Sequence, residues 1–307
     1  MSLVSFFKSN GENGFGYSST AEEVTEGIDL TGKNILITGC NSGLGKESAR
    51  VLALRGATIF GTARTKEKAE STATELKIER FHGFACELSD PRSVRNCVEE
   101  VKATGHKIDV LMCNAGIMAL PNLEESHGFE LQFFTNHIGH FILVIGLLGS
   151  LSENGRVVML SSSAHKMAPN GGIEFDNLDG KKGYQPWKAY GQSKIANLLF
   201  AKELAIRFKG TGKTAYAVHP GVIQTNLSRH MASISNTIFS LAGPVFLKSI
   251  EEGAATQCYV ATSPNIENLS GSYFADCNVS GTRREANDKN LSKKLFDVSL
   301  EIIEKLK

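Results

Sequence analysis

Several features that would assign a protein to a class are missing from this sequence. Lysine and arginine number 33 against 32 aspartate and glutamate residues, so the formal charge is +1 and no field of one sign attracts nucleic acid. None of the six cysteines forms a CxxC pair or has histidines at a metal-ligand spacing. We therefore expect reduced thiols, no metal site and no nucleic-acid partner.

Long hydrophobic runs are also missing. The longest, residues 141–151 and 238–247, fall short of the about 20 residues that span a bilayer. Residues 1–30 contain no run long enough for a signal peptide. Either apolar run suits a core helix, and the second also suits a surface patch. We predict a soluble, cytoplasmic protein with no transmembrane segment.

What is present is a regular alternation of short apolar runs with helical patterns. Of the 307 residues, 41% are hydrophobic and 21% are charged, which is typical of a globular protein. Six runs have the character of buried parallel strands, and the helices between them favour a sheet covered on both faces. These runs are residues 34–38, 57–61, 80–86, 110–114, 156–160 and 215–219. We predict an α/β fold with a doubly wound parallel sheet in one domain, residues 31–307, after an N-terminal extension, residues 1–30.

Three glycines lie between the first predicted strand and the helix that follows it. Glycine lets the backbone turn sharply and approach a pyrophosphate, while the helix N-terminus offers free N–H groups. The spacing TGxxxGxG is a variant of the usual dinucleotide fingerprint, and a glycine cluster alone also suits an ordinary turn. Its position in a strand–loop–helix unit favours dinucleotide binding. The residues expected at the cofactor are Gly39, Asn41, Ser42, Gly43, Leu44 and Gly45.

The end of the second strand predicts which dinucleotide binds. An acidic residue there would bind the ribose 2′-hydroxyl of NAD, but the chain continues Thr62-Ala63-Arg64-Thr65-Lys66. Arg64 can pair with a 2′-phosphate and stack on adenine. We therefore predict NADP(H) as the preferred cofactor, with NAD(H) as the alternative. The plain structural interpretation is a solvated arginine at a helix start.

Tyr190 and Lys194 lie one turn apart in a predicted helix. Side chains at i and i+4 share a face, and an ammonium beside a phenol favours the phenolate, so we expect Lys194 to lower the pKa of Tyr190. The alternative is a surface pair. Ser161-Ser162-Ser163 follows the fifth strand and Asn114-Ala115-Gly116 follows the fourth, at the edge where ligands of such sheets bind.

Taken together, these motifs resemble the short-chain dehydrogenase/reductase family, from about Gly32 to Gly271. The resemblance implies a Rossmann-type fold and hydride transfer between a nicotinamide and a carbonyl or alcohol. It also implies a catalytic tetrad and further cofactor contacts. The tetrad residues are Asn136, Ser162, Tyr190 and Lys194. The implied cofactor contacts are Glu87, Leu88, Asn114, Ala115, Gly116, Tyr190, Lys194, Pro220, Gly221, Val222 and Thr225.

Within that family the chain is similar to the retinol-dehydrogenase-like branch, including its WW-domain-linked and plastid-envelope relatives. The similarity lies in residues 136–141, 161–165, 175–178, 193–197 and 219–221, and residues 18–27 are similar to the soluble members of that branch. Two features depart from the pattern. Membrane-bound retinol dehydrogenases carry an apolar N-terminal anchor that is absent here, and Glu87-Leu88 stands where the family has Asp-Leu at the adenine.

The resemblance also implies a role for each tetrad residue. In reduction, Tyr190 donates a proton to the developing alkoxide, and Ser162 hydrogen-bonds the same oxygen. Lys194 binds the nicotinamide ribose and biases the pKa of the tyrosine. Asn136 holds a water that links the lysine to solvent.

The apolar stretch 227–250 follows the sixth strand and predicts a lid over a lipophilic substrate, such as a retinal-like aldehyde or a ketone. An amphipathic helix pair packed on the body and a contact with a membrane surface are the alternatives, and the sequence leaves a homodimer open. We predict an NADP(H)-dependent carbonyl reductase or alcohol dehydrogenase. A redox sensor or scaffold that binds NADP(H) with little turnover is the alternative, although it has no need of Tyr190 with Lys194. A nucleotide-sugar epimerase is a further alternative, with a different glycine loop.

Overall fold

The structure is a computed structural model of the chain and describes residues 10–223 and 247–306. Its strands are β1 Asn34–Thr38, β2 Thr58–Ala63, β3 Phe81–Ala85, β4 Ile108–Cys113, β5 Glu125–Ser126, β6 Phe129–Glu130, β7 Leu151–Leu160, β8 Thr214–His219, β9 Tyr273–Ala275 and β10 Asn278–Val279. Its α-helices are α1 Ala21–Val24, α2 Gly43–Leu54, α3 Lys66–Leu76, α4 Pro91–Ala103, α5 Leu131–Phe133, α6 Gly139–Leu147, α7 Pro186–Arg207, α8 Ile250–Thr262 and α9 Lys289–Lys305.

One eight-stranded sheet organises the molecule. Its strand order is β10-β9-β8-β7-β4-β1-β2-β3, and every neighbouring pair is parallel except β9 with β10. The six predicted strands are confirmed as the consecutive run from β8 to β3, which makes the predicted doubly wound α/β sheet correct. Because parallel strands end at one edge, the loops that follow β1, β4, β7 and β8 meet there.

Two apolar layers cover the sheet. On one face the Phe141 ring packs on Phe200 and Phe296, with centroid distances of 4.8 and 5.2 Å. On the other face Tyr216 packs edge-on against Phe274, at 5.8 Å between centroids. Helices α4, α6, α7 and α9 contribute to the first layer, and α1, α2, α3 and α8 contribute to the second. This double cover holds the strand ends, and therefore the loops after them, in fixed positions.

Residues 10–30 lie against the sheet domain. Ala21 and Val24 of α1 are buried in the same apolar layer as α8. Nearer the N-terminus, Asn13 donates a hydrogen bond of 2.8 Å from its side chain to the Cys277 carbonyl in the turn between β9 and β10. The extension is therefore held by apolar and polar contacts to the C-terminal part of the chain.

One helical stretch, Leu131–Ser150, is long and apolar enough to span a membrane by length and composition. Inside the fold, however, 78% of its most apolar window is buried. The interpretation of residues 141–151 as part of a core helix is confirmed for the portion that lies in α6. The second apolar run, residues 238–247, falls almost wholly outside the described residues.

Candidate active site

The glycine loop after β1 has the backbone geometry of a phosphate cradle. Gly39 and Gly43 have φ angles of +68° and +52°, which favour glycine. A Cβ on Gly45 would lie 2.2 Å from the Gly39 carbonyl oxygen, so only glycine fits there. Ser42 precedes α2 without capping it through its side chain, and the first N–H groups of that helix face the loop. The loop therefore fits the pyrophosphate of a dinucleotide.

Asn114 ties the loop after β4 to the end of β1. Its side-chain nitrogen donates to the Thr38 carbonyl at 2.9 Å, and its backbone N–H donates to Thr38 Oγ1 at 2.9 Å. The Ala115 N–H donates to the same hydroxyl at 3.0 Å. A Cβ on Gly45 would lie 2.6 Å from Asn114 Nδ2, so the asparagine lies directly beneath the glycine loop. The structure thus brings the two predicted cofactor segments together.

Asn136 lies in a π-helical turn, Phe134–Ile138, between α5 and α6. Its side chain is fully buried and forms a pair of hydrogen bonds with the Ile117 backbone, at 2.8 and 2.9 Å. It also donates to Ser193 Oγ in α7 at 2.9 Å. A Cβ on Gly116 would lie 2.8 Å from Asn136 Oδ1 and 3.4 Å from Lys194 Nζ, so both polar groups border Gly116.

Ser162 and Tyr190 lie near each other at the carboxyl end of β7. Ser162 follows β7 and accepts a hydrogen bond of 3.1 Å from the Ala164 N–H, which opens a short 3₁₀ turn. Tyr190, on α7, is buried, and its phenol lies near the Ser162 side chain. Burial raises the pKa of Tyr190 to about 12, and the interaction with Ser162 lowers it less. In the protein alone the phenol therefore keeps its proton at neutral pH.

Lys194 lies one turn further along α7, with its Nζ 5.5 Å from the Tyr190 ring centroid. The ammonium is buried and donates to the Leu160 carbonyl at the end of β7, at 3.2 Å. Burial lowers its own pKa to about 8. The expectation that Lys194 lowers the pKa of Tyr190 is therefore wrong for the protein alone, because loss of solvation dominates both groups.

Comparison with known proteins decides the family. Over 310 aligned residues, the chain is 39% identical to "Short-chain dehydrogenase TIC 32 A, chloroplastic" of Brassica napus, covering 96% of each chain. The protein belongs to the short-chain dehydrogenase/reductase family. The family model described as short chain dehydrogenase matches residues 33–176 of this dehydrogenase.

Further relatives place this short-chain dehydrogenase in the retinol-dehydrogenase-like branch. It is 41% identical to "Retinol dehydrogenase 12" of Mus musculus, over 91% of this chain and 89% of that one. A crystal structure of an uncharacterised Mycobacterium paratuberculosis protein matches with a TM-score of 0.75 and 32% identity, over 92% of this chain and 97% of that one. The predicted family is confirmed, and the protein is an oxidoreductase of CH–OH and C=O groups that uses a nicotinamide dinucleotide.

Three predicted adenosine contacts of this dehydrogenase differ in their surroundings. Arg64 is exposed at the end of β2, and no hydrogen bond or ion pair among the described residues engages its guanidinium. Glu87 instead turns back, and one of its carboxylate oxygens accepts from the Ser89 N–H at 3.2 Å and the Ser89 hydroxyl at 2.9 Å. Leu88 is buried, and its carbonyl lies against Gly139. Arg64 is thus available to a ligand, whereas the Glu87 side chain already has a partner.

The loop after β8 is shaped by a lysine that the sequence analysis missed. Gly221 has a φ of +95°, and a Cβ there would lie 2.6 Å from the Lys248 side chain. The Lys248 N–H donates to the Val222 carbonyl at 2.9 Å, and its Nζ lies 2.8 Å from Asp276 Oδ1. Pro220, Gly221 and Val222 therefore lie at the predicted edge. Thr225 and most of the predicted lid, 227–250, lie outside the described residues.

His140 is a second missed residue, and it connects Asn136 to Thr38. Its Nδ1 lies 2.9 Å from the Asn136 carbonyl, and its Nε2 lies 2.9 Å from Thr38 Oγ1. A carbonyl only accepts, so Nδ1 donates and Nε2 accepts from the threonine hydroxyl. Burial lowers the pKa of His140 to about 4, which keeps the ring neutral at pH 7. The sequence signal for His140 is its position four residues after Asn136, because residues at i and i+4 of a helix share a face.

Metal-ligating side chains do not cluster within the described ranges 10–223 and 247–306. No group of three histidine, cysteine, aspartate or glutamate residues there could hold an ion. All six cysteines are buried and free, as expected for reduced thiols.

Proposed function

We propose that this dehydrogenase is NADP(H)-dependent and transfers hydride between the nicotinamide and a carbonyl or alcohol of a lipophilic substrate. The observation that carries the proposal is a buried Tyr190 phenol that lies near the Ser162 side chain and has Lys194 Nζ 5.5 Å from its ring centroid. These groups lie at the same sheet edge as the glycine loop. A protein that binds the dinucleotide but catalyses no reaction does not need a buried phenol in this position.

The proposed cofactor contacts follow from the cradle and its edge. The glycine loop and the N-terminus of α2 hold the pyrophosphate, since they combine close backbone approach with free N–H groups. Exposed Arg64 pairs with the 2′-phosphate, and no acid at the end of β2 competes for the ribose. When bound, NADP(H) supplies or accepts the hydride.

Each tetrad residue has a proposed task in carbonyl reduction. Tyr190 keeps its proton at neutral pH and donates it to the developing alkoxide, while Ser162 donates a hydrogen bond to the same oxygen. Lys194 binds the nicotinamide ribose, and its pKa near 8 lets it exchange protons near neutral pH. Asn136 faces Lys194 across Gly116 and orders the water that relays this proton.

Apolar groups near Tyr190 support a lipophilic substrate. The Trp187 ring lies edge-on to the Tyr190 ring, with 6.1 Å between centroids, and Met167 is 50% exposed. Both residues line an open groove of about 500 Å³ beside the start of α7, together with two prolines and the polar residues Asn170, Glu174, Gln185 and Lys188. The name of the mouse relative, retinol dehydrogenase, points to the same substrate class.

A turnover assay tests the proposal. We expect the purified protein to oxidise NADPH faster than NADH in the presence of retinal, aliphatic aldehydes, steroid ketones or quinones. Tyr190→Phe should lower turnover by about 100-fold or more, because the proton donor is lost, with little change in NADPH affinity. Tyr216→Phe is the matched control, since that buried hydroxyl hydrogen-bonds Ile266 away from the site.

Other results would favour other functions. NADPH binding without turnover on this panel would support the redox sensor or scaffold. Unchanged turnover in Tyr190→Phe would remove the tyrosine from the mechanism. Cytoplasmic location, a homodimer and contact of residues 227–250 with a membrane stay predictions.

A further inference from the structure

Helix α8 packs against two segments of the proposed cofactor site, one after β8 and one at the start of α2. A Cβ on Gly253 would lie 2.3 Å from the Ile223 side chain, next to the loop after β8, and 2.8 Å from the Leu44 side chain in the first turn of α2. The helix therefore has close van der Waals contact with two separate segments. One turn further along, the same face carries Gln257, a fully buried polar residue.

The Gln257 amide nitrogen points at three acceptors. Its Nε2 lies 2.7 Å from Ser48 Oγ, 3.2 Å from Asn114 Oδ1 and 3.5 Å from the Leu44 carbonyl oxygen. The Asn114 and Leu44 oxygens accept only, because Asn114 Nδ2 already donates to Thr38. The donor end of the glutamine must therefore face the cofactor loops.

The other end of the same amide has no partner among residues 10–223 and 247–306. Gln257 Oε1 is buried and accepts no hydrogen bond from the residues that the structure describes. A buried carbonyl that accepts no hydrogen bond is destabilising, whereas an apolar residue of similar length would avoid this cost. The glutamine therefore suits a task that needs its donor more than it suits simple packing.

We propose that Gln257 is a positioning residue for the dinucleotide. By donating to Asn114 Oδ1, it holds the Asn114 side chain with Nδ2 on the Thr38 carbonyl, directly beneath Gly45. Its contact with the Leu44 carbonyl fixes the first turn of α2, whose N–H groups face the pyrophosphate. The inference rests on the proposed function only in that a dinucleotide occupies the glycine loop.

Gln257→Met tests the proposal, because methionine keeps the length and removes the donor. In the protein alone, we expect faster hydrogen–deuterium exchange in the peptide that covers residues 39–48. Titration with NADPH should show a dissociation constant raised about fivefold, the loss of one net hydrogen bond. At saturating NADPH, kcat and the KM for the carbonyl substrate should stay within twofold of wild type.

Thr262→Val is the matched control. Thr262 is buried on the same helix and donates to the Cys258 carbonyl at 2.8 Å, away from the glycine loop. This variant loses one hydrogen bond of α8 but should keep wild-type exchange at residues 39–48 and wild-type NADPH affinity. If it changes both as much as Gln257→Met does, general loosening of α8 explains the effect and the proposal is wrong.

Wild-type affinity and exchange in Gln257→Met would also overturn the proposal. Should that variant fail to fold, Gln257→Asn withdraws the amide by one methylene and is expected to give the same two changes.

Binding and exchange are measured without turnover, so an inactive wild-type protein that binds NADPH would contradict the proposed function alone. A wild-type protein that binds no dinucleotide would overturn both.

Discussion

At the scale of the residue, the site is made of polar groups that have been removed from water. Burial moves the pKa values of Tyr190 and Lys194 in opposite directions, to about 12 and about 8, and each shift favours the neutral form. Of these two groups, Lys194 therefore titrates closer to physiological pH. We infer that its ionisation, rather than that of the phenol, governs how this pair responds to pH in the protein alone.

Lys194→Met should change the pH dependence of stability. The pKa of Lys194 is lower in the folded state than its ordinary 10.5, so the unfolded chain binds more protons between about pH 8 and 10.5. Above pH 10.5 the lysine is neutral in both states, so its burial does not reduce stability through protonation. As the pH falls from 10.5 the unfolded chain gains the proton first, and the resulting loss of stability is complete once the pH has fallen through about 8. The variant should therefore gain up to about 3 kcal/mol relative to wild type at pH 7, and less at pH 10. Urea unfolding at both values measures this, and an equal difference at the two pH values would contradict it.

Arg64→Ala should weaken NADPH binding selectively. Removing a charge-assisted pair with the 2′-phosphate is expected to raise the dissociation constant about tenfold, while that for NADH changes less than twofold. Lys66→Ala is the control, because Lys66 is a nearby exposed cation that faces Glu70 at 3.9 Å. Isothermal titration with both dinucleotides measures the four constants. Equal losses for NADPH and NADH would show that Arg64 does not read the phosphate.

At the scale of the element, the central strands could be predicted from the sequence, and the clearest case is the strand–loop–helix unit around β1. Six apolar runs bounded by glycine and polar clusters identified β1, β2, β3, β4, β7 and β8. The strands β9 and β10 have only three and two residues, and their turn places Asp276 and Cys277 at φ of +51° and +62° without the usual Asn-Gly signal. Long-range pairing with β8, rather than local sequence, forms this edge.

In the candidate site, too, some features could be predicted from the sequence and others depend on the fold. The positions of Asn136, Ser162, Tyr190 and Lys194 could be named from motif spacing and family resemblance. Their burial could not, and burial is what reversed the expected direction of the Tyr190 pKa shift. Contacts made across the fold, such as that of Gln257 with Asn114, join residues 143 positions apart and leave no local pattern.

Gly45→Ala should disable the glycine loop. The new Cβ would lie 2.2 Å from the Gly39 carbonyl oxygen and 2.6 Å from Asn114 Nδ2, and the backbone carbonyl cannot move without opening the cradle. We expect a loss of about 2 kcal/mol in stability and a fall of more than tenfold in NADPH affinity. Gly149→Ala is the control, because a Cβ there meets nothing within 4 Å. Calorimetry with and without NADPH would measure both effects, and equal behaviour of the two variants would refute the steric argument.

At the scale of the whole molecule, helix α8 lies between two other parts of the chain. One side faces the glycine loop through Gln257, and another faces the N-terminal extension, where Ala21 and Val24 of α1 are buried. The extension also reaches the turn after β9 through Asn13. The N-terminal extension therefore packs on helix α8 and supports it, and α8 carries the Gln257 side chain that we propose to position the cofactor loop.

Deleting residues 1–30 should therefore weaken both stability and dinucleotide binding. Uncovering the α8 face exposes the apolar area that Ala21, Val24 and Leu30 now bury, which we expect to cost about 3 kcal/mol of unfolding free energy. Val24→Ala removes part of that contact and should cost about 1 kcal/mol. Because α8 carries Gln257, the loss should also appear as a higher dissociation constant for NADPH, graded from the point variant to the deletion. Unfolding and titration of the same samples test this order, and a truncated protein as stable and as tight-binding as the full chain would show that α8 holds the cofactor loop without support from the extension.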